Sequence, residues 1–555
     1  MLKYTLAAAL IAGTAQGALA QQGIDAGSQI RQLPPPPEQP VNPPEFSTEP
    51  AETGAIAEPA GPSVAVNTLR IDGQTLFSEA ELITATGFVP GTSFDLAGMR
   101  ALAARISAFY NDRGYFLSRA YLPTQDVSTG NVTIAVLEAR YGAVSIANSS
   151  NLHDGVALGL LDGLATGDNV ASAPLERRLL LLSDLPGITV RSTLAPGSAL
   201  GTSDLDVAIA NGRRVTGSVE ADNAGNRYTG RYRLGGSLNL NNAAGLGDRL
   251  SLRVLASTSD LAYGRLSYQV PVGALTVGAA FSHLTYGLGR EFADLDAEGT
   301  ANIASLYASY PLVRSRDANL YALAAVEAKW LEDRIELVSG SSEKRSQIAT
   351  FGFSGDIHDD LAGGGWTSGS IGWTHGNLDI RDPLGRAADA LTARSDGAFD
   401  YLRFALARQQ SVAGPLSLFA SVRGQAAFSN LDSSEKMQLG GAYGVRAYPE
   451  GEAFGDTGFI ATGEARLMLD ALTASLPGRV QLIGFVDYGE ITFAHDPWLA
   501  VDNDTRRSGY GGGIAWFGPD NLVLRGTYAT RLGDEAVTSQ PDRSGRFWFQ
   551  ITKLF

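Results

Sequence analysis

The chain has no cysteine, and its five histidines (His153, His283, His358, His375 and His495) are scattered without metal-ligand spacing. Disulfides and thiolate metal sites are thereby excluded. Long apolar runs are missing too: beyond the first twenty residues nothing approaches the roughly twenty-residue apolar helix that crosses a bilayer. Basic charge is in deficit, with 43 Lys and Arg against 58 Asp and Glu and a net charge of −15. Such a surface does not suit nucleic acid, whose phosphates demand a basic face, so no nucleic-acid partner is expected. No Gly-x-Ser-x-Gly elbow, phosphate loop or other enzyme constellation occurs, so no catalytic, cofactor or metal residue is assigned and no cofactor is expected.

What is present begins with Lys3, the apolar run from Leu6 to Gly13 and the small-residue end Ala18-Leu19-Ala20, the order of a secretory signal. Residues 1–20 are expected to be a signal peptide; a membrane anchor would need a run about twice as long. Residues 21–63 hold Pro34 to Pro37 and further prolines at 40, 43, 44, 50, 59 and 62, with few large apolar side chains. This Pro-rich linker is expected to be an extended tether, either a spacer or a segment that threads or plugs something.

Two small α+β modules follow, at 64–139 and 140–212. In the first, Val66 to Ile71 alternates like a strand, and Leu96, Met99, Leu102, Ile106 and Phe109 recur at helical spacing until Arg113-Gly114. Tyr115 to Leu122 and Val132 to Leu137 read as strands. The outline then repeats: a strand at Ala143 to Ile146, helices around Val156 to Leu164 and from Ser172 to Ser183, and strands at Ile188 to Leu194 and Leu205 to Ala210.

From about Arg213 to Phe555 alternation replaces helical periodicity. Leu250, Leu252 and Val254 oppose Ser251 and Arg253; Leu275, Val277 and Phe281 oppose Thr276 and Ser282; Leu416, Leu418 and Val422 oppose Ser417, Ser421 and Arg423. One face wants lipid and the other water. At about ten residues per strand plus a turn, residues 213–555 allow about sixteen antiparallel strands of a transmembrane β-barrel. A soluble β-sandwich would alternate similarly. The export signal and the aromatic last strand, with Phe547, Phe549, Ile551 and Phe555 on one face, favour the barrel; Lys553 on that face is an exception that can snorkel at an interface.

Two features stand out. Alternation in Phe485-Val-Asp487-Tyr-Gly489 turns Asp487 into the lumen. Val445-Arg446-Ala447-Tyr448 opens a stretch through Gly455, Asp456 and Gly458 that is too polar and Gly-rich for a strand, so a functional loop is expected near 443–458.

These stretches resemble the haemolysin secretion/activation family (ShlB/FhaC/HecB type), the TpsB transporter half of two-partner secretion. The match extends to Arg119-Ala-Tyr-Leu-Pro123-Thr-Gln125 and Leu137-Glu138-Ala-Arg140 in the first module, Leu179 to Gly187 in the second, and Asp222 to Gly230 with Gly245 to Asp248 at the barrel start. The resemblance implies two periplasmic POTRA domains, a sixteen-stranded outer-membrane barrel with a loop folded into its pore, and a lock between Arg446 and Asp487. Its implied partners are a large secreted TpsA-like adhesin or haemolysin, outer-membrane lipid and the barrel-assembly machinery for insertion. An exposed POTRA strand edge suits an extended client by β-augmentation. Two departures are visible: Ala447 stands where the family usually has Gly, and only Asp25 to Leu33 is free of prolines long enough to be helical, so a full plug helix is not expected. A barrel-assembly factor and a passive porin are the alternatives; the two modules count against the porin.

Overall fold

The computed structural model describes residues 24–37, 45–48, 62–338, 340–469 and 477–555. The expected signal peptide, residues 1–20, lies outside the described residues, as do parts of the expected tether. The chain forms two compact units, one holding the small domains up to Arg213 with Ala244–Gly247, the other the barrel with the described residues before Pro40.

In the first small domain, Asp95 caps the helix Leu96–Asp112 by accepting from the Gly98 amide at 2.7 Å. Its apolar stripe, Met99, Leu102, Ala103, Ile106 and Tyr110, is buried against a sheet ordered Thr68–Asp72, Asn131–Leu137, Arg119–Tyr121. The strand expected over Tyr115 to Leu122 is shortened to Arg119–Tyr121, because Tyr115 turns inward to stack edge-on against Phe77 and Tyr110. A second helix, Glu79–Thr86, begins with a reciprocal capping box between Ser78 and Glu81. The second domain packs helices Asp154–Leu161 and Ser172–Ser183, through Leu175, Leu179 and Leu182, against strands Arg140–Asn148, Ile188–Pro196 and Thr202–Asn211.

One edge of that second sheet is already covered. Glu45–Thr48 pairs in parallel with Ile188–Pro196, Glu45 opposite Arg191 and Thr48 opposite Leu194. Phe46 packs edge-on against Phe116 with centroids 6.5 Å apart, and the Ser47 and Thr193 hydroxyls meet at 3.1 Å. The Ile188–Pro196 edge is therefore not free for an incoming strand, as a structureless linker would have left it.

The other unit is a closed barrel of sixteen antiparallel strands, from Val215–Asp222 to Gly545–Leu554, which pair to close it with Ser218 opposite Leu554. The alternation read from sequence is realised: Leu250, Leu252 and Val254 face outward at 38%, 45% and 51% exposure. Arg253, between them, faces inward and pairs with Glu220 at 2.9 Å. On the last strand Phe547, Ile551 and Phe555 face outward, Trp548 is buried in the lumen, and Lys553 reaches the carbonyl of Asp520 at the barrel rim. Connections at one end are short, as at 273–274 and 414–415; at the other they are long, as at 381–396 and 428–456. That asymmetry is the ordinary one between periplasmic turns and extracellular loops.

Residues 24–37 lie inside the barrel, which corrects the uniform tether expected over 21–63. Asp25 caps a six-residue helix, Ala26–Arg31. The Ala26 amide donates to Asp333 at 2.8 Å, Thr229 donates to Gln29 at 3.0 Å and Asn226 to Gln32 at 2.9 Å. A Cβ on Gly27 would lie 2.7 Å from the Ser434 amide nitrogen, so glycine permits that close approach. Composition argued that this segment buries too little apolar surface to fold alone; inside the barrel Ala26, Ile30 and Leu33 pack against Leu255, Leu284 and Leu331, and Ser28, Gln29 and Gln32 find polar partners.

Candidate functional site

The connection between strands Leu416–Ala427 and Thr457–Leu469 does not leave the barrel. It folds back into the lumen, where Met437–Gln438 pairs with Phe454–Gly455 as a short hairpin. The inward loop thus begins at Phe428, well before the 443–458 expected, and Gly458, expected within the loop, belongs to the strand Thr457–Leu469. The reason lies in the stretch Asp432-Ser-Ser-Glu-Lys436, which looks like a solvated turn but is buried by charge pairing with the wall.

Two kinds of contact hold the loop. Leu439, Val445, Ala447, Tyr448 and Ala453 are completely buried against Ile460, Ile483, Phe485, Ala515 and Ala529, an apolar strip on the inner wall. Burial of one such large side chain contributes about 1.5–3 kcal/mol, so this strip is a strong reason for the loop to fold inward.

The second kind is polar. Arg446 makes a fork with Asp487, Nε to Oδ2 and Nη2 to Oδ1 both at 2.8 Å, and the Arg446 amide adds a bond to Oδ2 at 3.1 Å. Its Nη1 reaches Glu464 at 2.8 Å, and its guanidinium lies 3.5 Å above the Phe485 ring. Thr462 donates to Asp487 at 2.9 Å, Arg466 pairs with Glu464 at 2.7 Å, and the Trp548 indole donates to the Arg446 carbonyl at 2.7 Å. Asp487 is inward because the residues beside it on its strand, Val486 and Tyr488, face out. The planar fork matches a carboxylate in two directions at once, which fixes orientation as well as charge.

Around this centre the remaining expected residues take defined places. Tyr448 donates to the Glu535 carbonyl at 3.0 Å, Gly455 closes the hairpin, and Gly489 faces Leu439 and Val445. Asp456 accepts Lys436 Nζ at 2.6 Å together with the amides of Leu431 and His495. The four residues expected in the first small domain form no part of the luminal site. Glu138 there accepts from the Thr75 amide at 2.7 Å, the Thr75 hydroxyl, the Leu76 amide at 2.9 Å and the Tyr110 hydroxyl at 2.8 Å. Gln125 continues the sheet by exchanging bonds with Thr133, at 2.8 Å from the Thr133 amide and 2.6 Å to its carbonyl. Pro123 is half-buried and Arg119 exposed.

Sequence reasoning missed a set of loop-to-wall pairs: Lys329 with Glu435 at 2.6 Å, Lys344 with Asp432 at 2.6 Å and Arg507 with Glu452 at 3.0 Å. Charges at inward strand positions opposite an acidic loop were the available signal. Helix Ala26–Arg31 joins the same network, since Ser433 donates to Asp25 at 2.5 Å and Arg31 to the Lys436 carbonyl at 3.1 Å.

Comparison with known proteins agrees with this architecture. Residues 201–503 match the family described as haemolysin secretion/activation protein ShlB/FhaC/HecB, and residues 64–139 match the POTRA domain of ShlB type. The chain is 27% identical over 474 residues to the heme/hemopexin transporter protein HuxB of Haemophilus influenzae strain 86-028NP, covering 84% of this chain and 82% of that one. To the outer membrane transporter CdiB of Dickeya dadantii it is 23% identical over 498 residues, covering 84% and 86%. The solved structure of CdiB from Escherichia coli superposes with a TM-score of 0.71 at 20% identity, covering 100% of this chain and 98% of that one.

Proposed function

Because the chain belongs to the haemolysin secretion/activation family, we propose that the luminal loop and the amino-terminal segment are the closed gate of a transporter for one large secreted partner protein of adhesin or haemolysin type. Members of this family are outer-membrane transporters of two-partner secretion, not enzymes, with their POTRA domains in the periplasm. The partner's identity and the gating role of Arg446 and Asp487 are our reading.

The observation that carries it is the way the lumen is filled. Beside the apolar strip under the loop, loop 428–456 and helix Ala26–Arg31 are held by ion pairs and hydrogen bonds to wall residues, contacts that water or a passing polypeptide backbone can replace without unfolding the barrel. A passive porin has no use for such a filling or for the small domains. The sequence holds no phosphate loop, and we infer that the direction of transport comes from folding of the exported partner outside the cell. The test is co-expression with the exoprotein encoded next to it: the partner appears at the surface or in the medium, and deletion of the transporter retains it in the periplasm while other outer-membrane barrels assemble normally. General loss of outer-membrane barrels would favour the assembly-factor reading instead.

A further inference from the structure

The inner wall carries positive charge that its ion pairs do not use, although the chain as a whole is acidic. Arg403, on strand Gly397–Ala413, gives Nε to the Gln425 amide oxygen at 2.7 Å and Nη2 to the Glu435 carbonyl at 2.9 Å. Arg423, on the neighbouring strand, gives Nη2 to the Tyr443 carbonyl at 2.5 Å and is exposed to the lumen. Together with Arg31 they border one cavity of about 570 Å³, beside Gln425 and Met437.

Among the described residues none of these three arginines is in an ion pair; each spends its hydrogen bonds on neutral oxygens. Other luminal arginines are neutralised: Arg253 and Arg466 of the wall by Glu220 and Glu464, and Arg446 of the loop by Asp487. The negative charges that act on them, Glu435 on Arg31 and Arg403 and Glu450 on Arg423, belong to loop 428–456 and leave with it. Arginine stays charged at neutral pH, and a cleft of one sign with low-dielectric walls then concentrates the opposite charge. Two of the three belong to the wall itself and remain in place if the loop or the helix moves. Their N–H groups now hold carbonyls of loop 428–456, so any chain that displaces the loop meets donors that have just been released.

Resting on the transporter reading above, we propose that this cavity is a docking station for acidic stretches of an extended polypeptide in transit. Carboxylates take the forked donors of Arg403 and Arg423, and the passing backbone replaces the loop carbonyls of Glu435 and Tyr443.

The experiment uses the full chain in a planar lipid bilayer with oligo-glutamate or oligo-lysine added on the POTRA side. The expected result is block of the current by oligo-glutamate at concentrations about tenfold or more below those of oligo-lysine, together with an anion-selective reversal potential in a potassium chloride gradient. Both fade towards 1 M salt, where the Debye length is about 3 Å. Arg403→Gln with Arg423→Gln abolishes the preference. Arg403→Lys with Arg423→Lys keeps the selectivity but weakens the block, because ammonium has no fork; this pair also controls for folding, read by heat-modifiable gel mobility. Equal block by both peptides, block unchanged in the double Gln variant, or anion selectivity without peptide block overturns the station. Secretion of the partner is scored separately: normal secretion without any glutamate preference sinks the station alone, and glutamate block in a chain that secretes nothing sinks the transporter reading alone.

Discussion

The methyl group of Ala447 fills the space that a side chain at Gly509 would need: a Cβ on Gly509 would lie 2.5 Å from the Ala447 Cβ. Gly509 is the register partner of Asp487, so the residue after Arg446 packs directly over the strand beside the lock. Ala447 is not among the positive-φ residues, so its departure from the family's usual glycine needs no left-handed backbone, only room on the wall. Gly509→Ala is expected to overpack this contact by about 1–3 kcal/mol and loosen the loop, raising single-channel conductance. Adding Ala447→Gly restores the wild-type trace; an unchanged conductance in the single variant contradicts the packing.

The lock itself is asymmetric. Removing Arg446 leaves the buried Asp487 without a cation while Glu464 keeps Arg466, whereas removing Asp487 leaves Arg446 still paired with Glu464. Breaking one side of a buried pair costs roughly 3–5 kcal/mol, so Arg446→Ala should abolish secretion of the partner and Asp487→Ala reduce it less. The double variant should be no worse than Arg446→Ala, and Arg446→Lys should rescue poorly. Equal and additive defects in a secretion assay would mean the pair does not act as a unit.

In the first small domain, burial pushes the Glu138 carboxyl up, but the donors of Thr75, Leu76 and Tyr110 outweigh it and hold the group below the ordinary carboxylate range. A depressed folded-state value stabilises the domain above the unfolded value, about 4.3, and that contribution is lost as pH falls through the folded value. Glu138→Gln turns an amide donor towards these donors and should cost about 1–3 kcal/mol. Hydrogen exchange at Thr75 and Leu76 reads both effects; protection that is indifferent to acid and to the substitution would refute the assignment.

Phe46→Pro with Ser47→Pro removes the amide donors through which Glu45–Thr48 pairs with Ile188–Pro196. Amides of the Ile188–Pro196 strand that face this segment should exchange faster, while those facing Thr202–Asn211 keep their protection. If exchange is uniform across the strand, the covering segment contributes nothing to that edge.

Much of this was legible without coordinates. Period-two alternation around Leu250, Leu416 and Phe547 reveals which side chains meet lipid, because a strand sends successive residues to opposite faces whatever its neighbours are. Helical spacing from Leu96 to Phe109 and the caps around it are equally local. The inward direction of Asp487 follows from the same arithmetic. What locality could not supply was partnership across long stretches of chain. Asp432 to Lys436 reads as a solvated turn until the wall presents Lys329 and Lys344, and residues 24–33 read as part of a tether until a polar lumen offers Asn226, Thr229 and Asp333. Composition by itself determined that these segments carry too little apolar surface to fold alone; only the closed barrel decided that they would be ordered, because closure surrounds them with fixed hydrogen-bonding groups and wall side chains that a sequence pattern cannot assign to them.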